Sequence, residues 1–443
     1  MYFCNAMPFA DFILQHEADD PVRLLLARDK YPDIDIDLAV TTLEVRRKLR
    51  TKVPEWYAVP SLVYPFRLSG EQCSSSETAR YKASLIARSI GEGVPPETCG
   101  HPRPHKREGP AACGGRGRGA TVSGGTPSPI TMADLTGGMG VDTWAFAQVA
   151  QEVLYNEVQV ELVRATELNF RELGVENVRF GNRLVEPGKV VEVLDGFLPD
   201  VIFLDPARRA GDGRKVFLIE ECQPDVLGLL PELFAASRYV LLKLSPMADI
   251  TMACKRLGEH VKEVHVVAAG GECKELLFLL DREWSGTPAT FVVEGGAVME
   301  IPEAEPVVTL GMPQPGFSLF EPGKALTKAG AFSLPCGRFG LTKLGQHTHL
   351  YVGEAVPEEL RPFGKVFEVL EVLPLNNRTI KEAGKRWPQA EVTARNVPMT
   401  SDLLRKKLGC ASGGDIHLFG VRVDAAAEAG NYLIVTKKRY GTD

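Results

Sequence analysis

The residues whose spacing most suggests chemistry form a glycine-rich stretch, Asp134-Leu-Thr-Gly137-Gly138-Met-Gly140-Val-Asp142. The stretch lies where a strand-like run ends and a helix-like run begins. Glycines at such a turn let the backbone approach a ligand closely, and the N-terminus of a helix favours anionic groups. A glycine-rich turn alone is a weak motif, so it indicates a binding loop only when other residues support it.

Polar residues also end the next three strand-like runs. Glu157 ends the second run, where an acidic side chain can accept hydrogen bonds from both hydroxyls of a ribose, and Asn182 ends the third, where an amide can reach an adenine edge. Asp205-Pro206-Ala207-Arg208 ends the fourth. Ligands of open α/β sheets bind at the carboxyl ends of the strands, so this order predicts S-adenosylmethionine (SAM) as cofactor. The predicted cofactor-binding residues are Asp134, Gly137, Gly138, Gly140, Asp142, Glu157, Asn182 and Asp205.

The elements that must position these residues alternate regularly from about residue 130. Five strand-like runs separated by helix-like runs predict a parallel sheet covered on both faces. Two further strand-like runs are joined only by Gly270-Gly271-Glu272-Cys273, a link so short that the pair must be antiparallel. Five parallel strands closed by such a hairpin give the seven-stranded, Rossmann-like α/β sheet of class I methyltransferases. The strand-like runs are ITMADL, EVLYNE, NVRFGN, DVIFLDP, YVLLKLSP, VKEVHVVAA and KELLFLLDRE.

A dinucleotide is the competing cofactor. Its fingerprint requires G-x-G-x-x-G, but the third glycine position counted from Gly138 is Thr143. This departure and the closing hairpin both favour SAM over NAD.

The segments that flank the sheet differ from it in composition. Residues 1–90 read as a small helical domain, with a capping-box spacing at Ser74-x-x-Glu77 before a helix. Residues 91–128 are dominated by Gly, Pro and small polar residues, which predicts a disordered linker or insertion, and their Cys and His spacing fits no common zinc site. We therefore expect no metal. Residues 129–285 would form the SAM-binding domain and residues 286–443 a linker with an α+β domain.

Composition bounds the function only loosely. The chain has 443 residues, 44% of them hydrophobic and 24% charged, and it has no run of about 18 apolar residues. Its first residues turn acidic quickly, so we do not expect them to act as a signal peptide. Nine cysteines without regular spacing favour reduced thiols and a cytoplasmic protein. A net charge of −6 argues against an evenly basic nucleic-acid binder but allows a local basic patch.

The segment after the fourth strand supplies the candidates for methyl-transfer chemistry. Asp205, with Pro206 beside it, could orient the acceptor or receive its proton, although a carboxylate that caps the strand end is an alternative. Arg208 and Arg209 could hold a phosphate or base edge, or one of them could pair with Asp205 or Glu220. After the fifth strand, Lys243 and Ser245 could line the acceptor pocket.

The sequence DPAR is similar to a motif of RNA uridine C5-methyltransferases, which form a covalent adduct through a cysteine after the fifth strand. Here that stretch is Lys243-Leu-Ser245-Pro246-Met247, which has no thiol. A serine is a poor substitute without an activating base. Transfer to a nitrogen or oxygen is therefore favoured.

Several stretches together resemble the class I SAM-dependent methyltransferase family that carries a C-terminal THUMP-like domain. DLTGGMGVDT, DPARR, KLSPMADI and GGECKELL resemble its catalytic domain, and VPEW with LSGEQCSSSETARYKA resembles its N-terminal helical domain. FEPGKALTKAGAF, THLY, ARNVPMTSDLLRKKL and GGDIHLFG resemble its THUMP-like domain. The resemblance covers nearly the whole chain except residues 91–128, and it implies a SAM-dependent transferase. Arg395, Lys406 and Lys407 could form a positive face for an RNA backbone or a solvated surface. Because THUMP domains bind RNA, the resemblance favours RNA contacts.

The sequence thus predicts a cytoplasmic SAM-dependent methyltransferase that acts on structured RNA, either tRNA or rRNA. Two alternatives stay open at this stage. One is a methyltransferase for a small molecule or a protein, and the other is a non-catalytic module that binds SAM or RNA.

Overall fold

The computed structural model of the chain forms two compact units. The first contains the described residues up to 208 together with Glu220–Leu242, and the second contains Leu218, Ile219 and the described residues from 243 onward. The described residues are 6–90, 130–208, 218–303 and 308–439. The predicted linker 91–128 and Arg209 lie outside them.

The first unit begins with helices that pack around a small apolar core. Asp20 and Asp35 start two of these helices, since each carboxylate accepts a hydrogen bond from a backbone N–H of the first turn. Phe12 and Ile13 pack against the third helix through Ala39, Val40 and Leu43. The helices are α1 (Ala6–Gln15), α2 (Pro21–Leu26), α3 (Ile36–Lys52), α4 (Pro54–Tyr57), α5 (Arg67–Gln72) and α6 (Ser76–Ile90).

The start of α6 differs from its prediction by one residue. Ser75, rather than Ser74, is the cap: its hydroxyl oxygen accepts a hydrogen bond from Thr78 N–H, and Thr78 Oγ1 accepts one from Ser75 N–H. This is a reciprocal capping box with Thr instead of Glu at its third helical position. The prediction of Ser74 as cap is wrong because its hydroxyl is used elsewhere, as described below.

Five parallel strands follow in the first unit, in the spatial order β3-β2-β1-β4-β7. They lie where the sequence predicted them, and four of the five are mostly buried, as strands covered on both faces must be. The strands of this region are β1 (Thr131–Asp134), β2 (Glu152–Asn156), β3 (Val178–Gly181), β4 (Val201–Leu204), β5 (Ala207–Arg208), β6 (Cys222–Gln223) and β7 (Tyr239–Leu244). The helices are α7 (Val141–Phe146), α8 (Val160–Glu172), α9 (Val190–Leu194) and α10 (Val226–Ala236).

A short strand precedes the last helix of this region. Cys222 and Gln223 form β6, which pairs antiparallel with β5. Asp225 then caps α10, because its carboxylate accepts a hydrogen bond from Gly228 N–H. The helix therefore begins at Val226.

The second unit starts with the last two residues of β7 and continues with α11 (Ile250–Leu257). The predicted hairpin is confirmed: β8 (Val261–Ala269) and β9 (Glu272–Asp281) are antiparallel. Two more strands extend it, because β10 (Ala289–Glu294) lies parallel to β8 and β11 (Ala297–Ile301) lies antiparallel to β10.

The second unit ends in a seven-stranded sheet with helices, which is the α+β pattern expected. Its strand order is β13-β14-β12-β15-β18-β17-β16, and β16 pairs with β17 in parallel. One apolar cluster joins Ile380, Leu404 and Leu408 of two helices to the sheet. The strands are β12 (Ser318–Pro322), β13 (Thr342–Lys343), β14 (Tyr351–Gly353), β15 (Gly364–Pro374), β16 (Glu391–Arg395), β17 (Ile416–Val423) and β18 (Gly430–Lys438). The helices are α12 (Lys324–Lys328), α13 (Leu334–Gly337), α14 (Asn377–Arg386) and α15 (Ser401–Leu408).

Among the described residues, no helix combines the length and the apolar character needed to cross a membrane.

Candidate active site

The glycine turn between β1 and α7 is closed tightly around a tyrosine. A Cβ atom at Gly137 would lie 2.1 Å from Tyr155 Cε2, so no side chain fits there. Gly138 and Gly140 have φ values of 55° and 88°, in the left-handed region that favours glycine. The Tyr155 hydroxyl donates a hydrogen bond of 2.6 Å to the carbonyl oxygen of Gly138. The glycines are thus needed for both conformation and close approach.

Glu157 connects the end of β2 to this turn. Its side chain is buried, and its two oxygens accept hydrogen bonds from Gly138 N–H at 3.0 Å and Gln159 N–H at 2.9 Å. An ionised carboxylate has about four acceptor positions. Two backbone donors hold the carboxylate in place and leave acceptor capacity for ligand hydroxyls.

Asp134, at the end of β1, is buried beneath the same turn. Its carboxylate accepts hydrogen bonds from Thr143 Oγ1 at 2.6 Å and Thr136 N–H at 3.1 Å. Burial raises the pKa of Asp134 to about 7, and the nearby carboxylates of Asp142 and Asp205 add to the increase against the effect of the two hydrogen bonds. Thr143, the residue that breaks the dinucleotide fingerprint, therefore has a role of its own in holding Asp134.

Asp142 is occupied by groups from the N-terminal helices. Its carboxylate accepts a hydrogen bond of 2.8 Å from the Ser74 hydroxyl and forms an ion pair at 3.1 Å with Lys82 Nζ. The Lys82 side chain is completely buried. The carboxylate of Asp142, which the sequence predicted as a cofactor contact, is thus held by Lys82 of α6 and by Ser74.

Backbone contacts tie the other strand ends to the turn. The side-chain amide of Asn182 donates to the carbonyl oxygens of Glu157 and Val158, at 2.7 and 2.9 Å. Asp205 N–H donates to Thr136 Oγ1 at 2.6 Å. The ends of β1 to β4 are therefore connected by hydrogen bonds. The predicted residues that take part in this network include Asp134, Gly137, Gly138, Glu157, Asn182 and Asp205.

The segment after β4 is described only in part. Pro206 is buried, and Arg208 lies in β5 opposite Cys222. Arg209 lies outside the described residues, so the predicted arginine pair has no structural account at that position.

The predicted substrate-binding residues that follow belong to the second unit. Lys243 lies on β7, and the Ser245 hydroxyl oxygen accepts a hydrogen bond from Met247 N–H at 3.2 Å. Arg395 ends β16 and forms an ion pair of 3.0 Å with Glu321. Lys406 and Lys407 are exposed on α15. In the described part of the chain, no group of three or more His, Cys, Asp or Glu residues could hold a metal ion.

Sequence reasoning missed the residues that hold the turn together. Thr136, Thr143, Tyr155 and Asn156 each hydrogen-bond within it, and Asn156 does so through Leu135 and Arg183. Thr136 and Thr143 lie within the glycine-rich motif itself, so their proximity was a usable signal. Lys82 gave no signal, because it reaches the turn from a helix 60 positions earlier.

Comparisons with known proteins agree with this architecture. Residues 364–438 match the THUMP domain-like family, and residues 319–360 match a ferredoxin-like domain. The chain is similar to a crystal structure of a putative methyltransferase from Porphyromonas gingivalis W83, with 28% sequence identity and a TM-score of 0.77 over 99% of this chain and 100% of that one. These matches confirm the resemblance to methyltransferases with a C-terminal THUMP-like domain and the predicted α/β fold class of class I methyltransferases.

A curated relative matches a shorter segment. It is a protein of Enterococcus faecalis (strain ATCC 700802 / V583) described as an uncharacterized RNA methyltransferase, 34% identical over 94 residues. The match covers 21% of this chain and 21% of that protein, so the chain spans about a fifth of the relative's length.

Proposed function

We propose that this protein is a SAM-dependent methyltransferase that transfers a methyl group to a nitrogen or oxygen of structured RNA, either tRNA or rRNA. The similarity to a methyltransferase structure over the full length supports the reaction class, and the THUMP domain-like match with the RNA methyltransferase relative supports the substrate. One observation carries the proposal above the others. The buried carboxylate of Glu157 is fixed against the glycine turn with acceptor capacity left over.

The residues around the turn fit an adenosyl group. Glu157 would accept hydrogen bonds from the ribose hydroxyls, and Asn182 would contact the adenine. The turn would hold the amino-acid end of the cofactor near Asp134, whose carboxylate favours a cation. SAM supplies a methyl group that is already activated on a sulfonium. The residues proposed to bind it are Asp134, Gly137, Gly138, Gly140, Asp142, Glu157, Asn182 and Asp205.

The chain's own contribution to the reaction is to position the acceptor and accept its proton. Asp205 is the candidate for both tasks, since Thr136 fixes its backbone and Pro206 follows it. Arg208, Arg209, Lys243 and Ser245 are the candidates for binding the acceptor nucleotide. Arg395, Lys406 and Lys407 would contact the RNA backbone.

The first experiment measures cofactor binding. Isothermal titration calorimetry of the purified full chain should detect both SAM and S-adenosylhomocysteine, and Glu157→Ala should weaken both by about 100-fold, since two charge-assisted contacts to the ribose are lost. Glu192→Ala, on the exposed side of α9, is the matched control and should bind normally. If the wild-type chain bound neither compound at millimolar concentration, the proposal would be overturned.

The second experiment measures methyl transfer. The chain is incubated with tritiated SAM and RNA that lacks its native modifications, with protein and small-molecule extracts in parallel. RNA should be labelled, and Asp205→Ala should lower the rate by 100-fold or more, on the order expected for losing a general base. If only the protein or the small-molecule extract were labelled, the substrate would belong to that class and not be RNA. Equal labelling by Asp205→Ala would remove Asp205 from the mechanism.

A further inference from the structure

Three segments that are distant in the sequence meet in the second unit. Phe332 follows α12 and His349 lies between β13 and β14. Arg395 ends β16, and Asn396 follows it. The rings of Phe332 and His349 are stacked, with centroids 3.7 Å apart and an interplanar angle of 22°. The Asn396 amide, on a left-handed backbone with φ of 53°, donates to the carbonyl oxygen of His347 and to Thr348 Oγ1. The segments are thus joined by specific contacts.

The stacked pair is open to solvent in part. Both Phe332 and His349 are only partly buried. A second stacked pair in the same unit, His417 on Phe419, is different because Phe419 is fully buried within the core of the sheet. The Nδ1 atom of His349 is shielded from water and has no hydrogen-bond partner among the described residues. Aromatic rings with an exposed face can stack on a planar ligand, and an unsatisfied buried polar atom calls for an explanation.

Positive groups surround the pair. Lys343 Nζ lies 5.7 Å from the centroid of the Phe332 ring, and the charges of Lys343, His347 and Arg395 act on His349. Burial, followed by these charges, lowers the pKa of His349 to about 4, so its ring is neutral at pH 7. The pair therefore offers an uncharged aromatic surface beside cations.

Two acidic residues offset part of this charge. Glu321 pairs with Arg395, and Asp424 pairs with Arg422. Lys343 is different: its Nζ donates to the carbonyl oxygen of Gln346, and no carboxylate in the described part of the chain lies within 4.0 Å of it. A positive charge is therefore left over beside the rings.

We infer that Phe332, Lys343, His347, His349 and Arg395 form a binding site for one nucleotide of single-stranded RNA. The base would stack on the aromatic pair and the phosphate would lie near the cations, which is how sequence-tolerant binding of single strands is achieved. The identity of the ligand as RNA rests on the proposed function. Loops and unpaired ends of structured RNA present such nucleotides.

The test uses the full chain and a fluorescein-labelled ten-residue oligouridylate, with binding measured by fluorescence anisotropy between 50 and 200 mM salt. Phe332→Leu should weaken binding by about 5- to 150-fold, the effect expected for one stacked base. Arg395→Gln should lower the slope of log K against log salt by about 0.7, the value for one phosphate contact on a single strand. Arg378→Gln, which removes an exposed arginine of α14, should leave both quantities unchanged.

The outcomes separate this inference from the proposed function. If wild-type protein binds the oligonucleotide and both Phe332→Leu and Arg395→Gln bind it equally well, the inference is overturned and the proposed function stands. If the wild type binds none at 50 mM salt, the site is overturned, and the methyl-labelling experiment decides separately whether RNA is the substrate. Urea unfolding of each variant, followed by circular dichroism, identifies misfolding. Arg395→Gln carries the test alone if Phe332→Leu does not fold, because the Arg395 side chain is half exposed.

Discussion

Each unit of the molecule contains a buried lysine, and the two have opposite surroundings. Lys82, in the first unit, has no exposed surface and lies 3.1 Å from both an oxygen of Asp142 and the hydroxyl of Ser74. Lys343, in the second unit, is 4% exposed and donates to a carbonyl oxygen. Burial lowers the pKa of Lys343, because no counter-charge compensates for its lost hydration.

The charge of Lys82 stabilises the fold, whereas the charge of Lys343 is available to a ligand. The ion pair of Lys82 connects α6 to Asp142 of α7, and so fastens the helix that follows the glycine turn. An unpaired buried cation contributes little to folding, since the cost of its dehydration is not offset. Lys343 lies beside the stacked rings of Phe332 and His349, where an anionic ligand would supply the missing charge.

The largest expected effect is the loss of the ion pair between Lys82 and Asp142 in the first unit. Lys82→Met should lower the free energy of unfolding by about 3 to 5 kcal/mol, because it leaves the carboxylate of Asp142 buried without its cation. Urea unfolding followed by circular dichroism measures the change. The double variant Lys82→Met with Asp142→Leu should lose less than Lys82→Met alone. A double variant that loses the sum of both single changes would show that the two side chains act independently.

The next effect tests the glycine turn that Asp142 follows. Gly137→Ala should lower the free energy of unfolding by about 3 kcal/mol and weaken SAM binding, since its methyl group would displace the Tyr155 ring. Gly138→Ala is the matched control. A Cβ atom at Gly138 would have no atom closer than 3.8 Å. An alanine in its left-handed backbone conformation should lower the free energy of unfolding by about 1 to 2 kcal/mol. If both variants lost the same free energy of unfolding, the Tyr155 ring would be able to move aside for the added methyl group without destabilising the fold.

A smaller effect depends on pH and concerns the carboxylate beneath the same turn. The folded-state pKa of Asp134, about 7, lies above the ordinary value of 3.8. Between these values the folded state binds more protons than the unfolded state, so the free energy of unfolding should fall as pH rises from 4 to 7. Asp134→Asn should remove this part of the pH dependence, measured by urea unfolding at each pH. An identical pH profile in the variant would contradict the raised pKa.

The two regions also differ in how much of them the sequence could predict. The glycine turn and the polar strand ends follow from local patterns, because Gly138 and Gly140 mark left-handed positions and each strand places its last polar residue at the same edge. The contact of Lys82 with Asp142 spans 60 positions and has no local pattern. The stacked site in the second unit is assembled from Phe332, His349 and Arg395, which only the folding of the seven-stranded sheet brings together. Its residues were present in three motifs of the resemblance, but their convergence was not predictable.

The smallest expected effect on stability is that of replacing Lys343, the buried lysine of the second unit. Lys343→Met should change the free energy of unfolding by less than about 1 kcal/mol, because the hydrogen bond lost to Gln346, worth about 1 kcal/mol, is offset by relief from burying an unpaired charge. The same variant should bind oligouridylate several-fold more weakly, since the site loses the unpaired cation that would contact the phosphate. Urea unfolding and anisotropy on one preparation measure both quantities. A loss of stability as large as that of Lys82→Met, with RNA affinity unchanged, would make Lys343 a second structural lysine and would remove the difference between the two units.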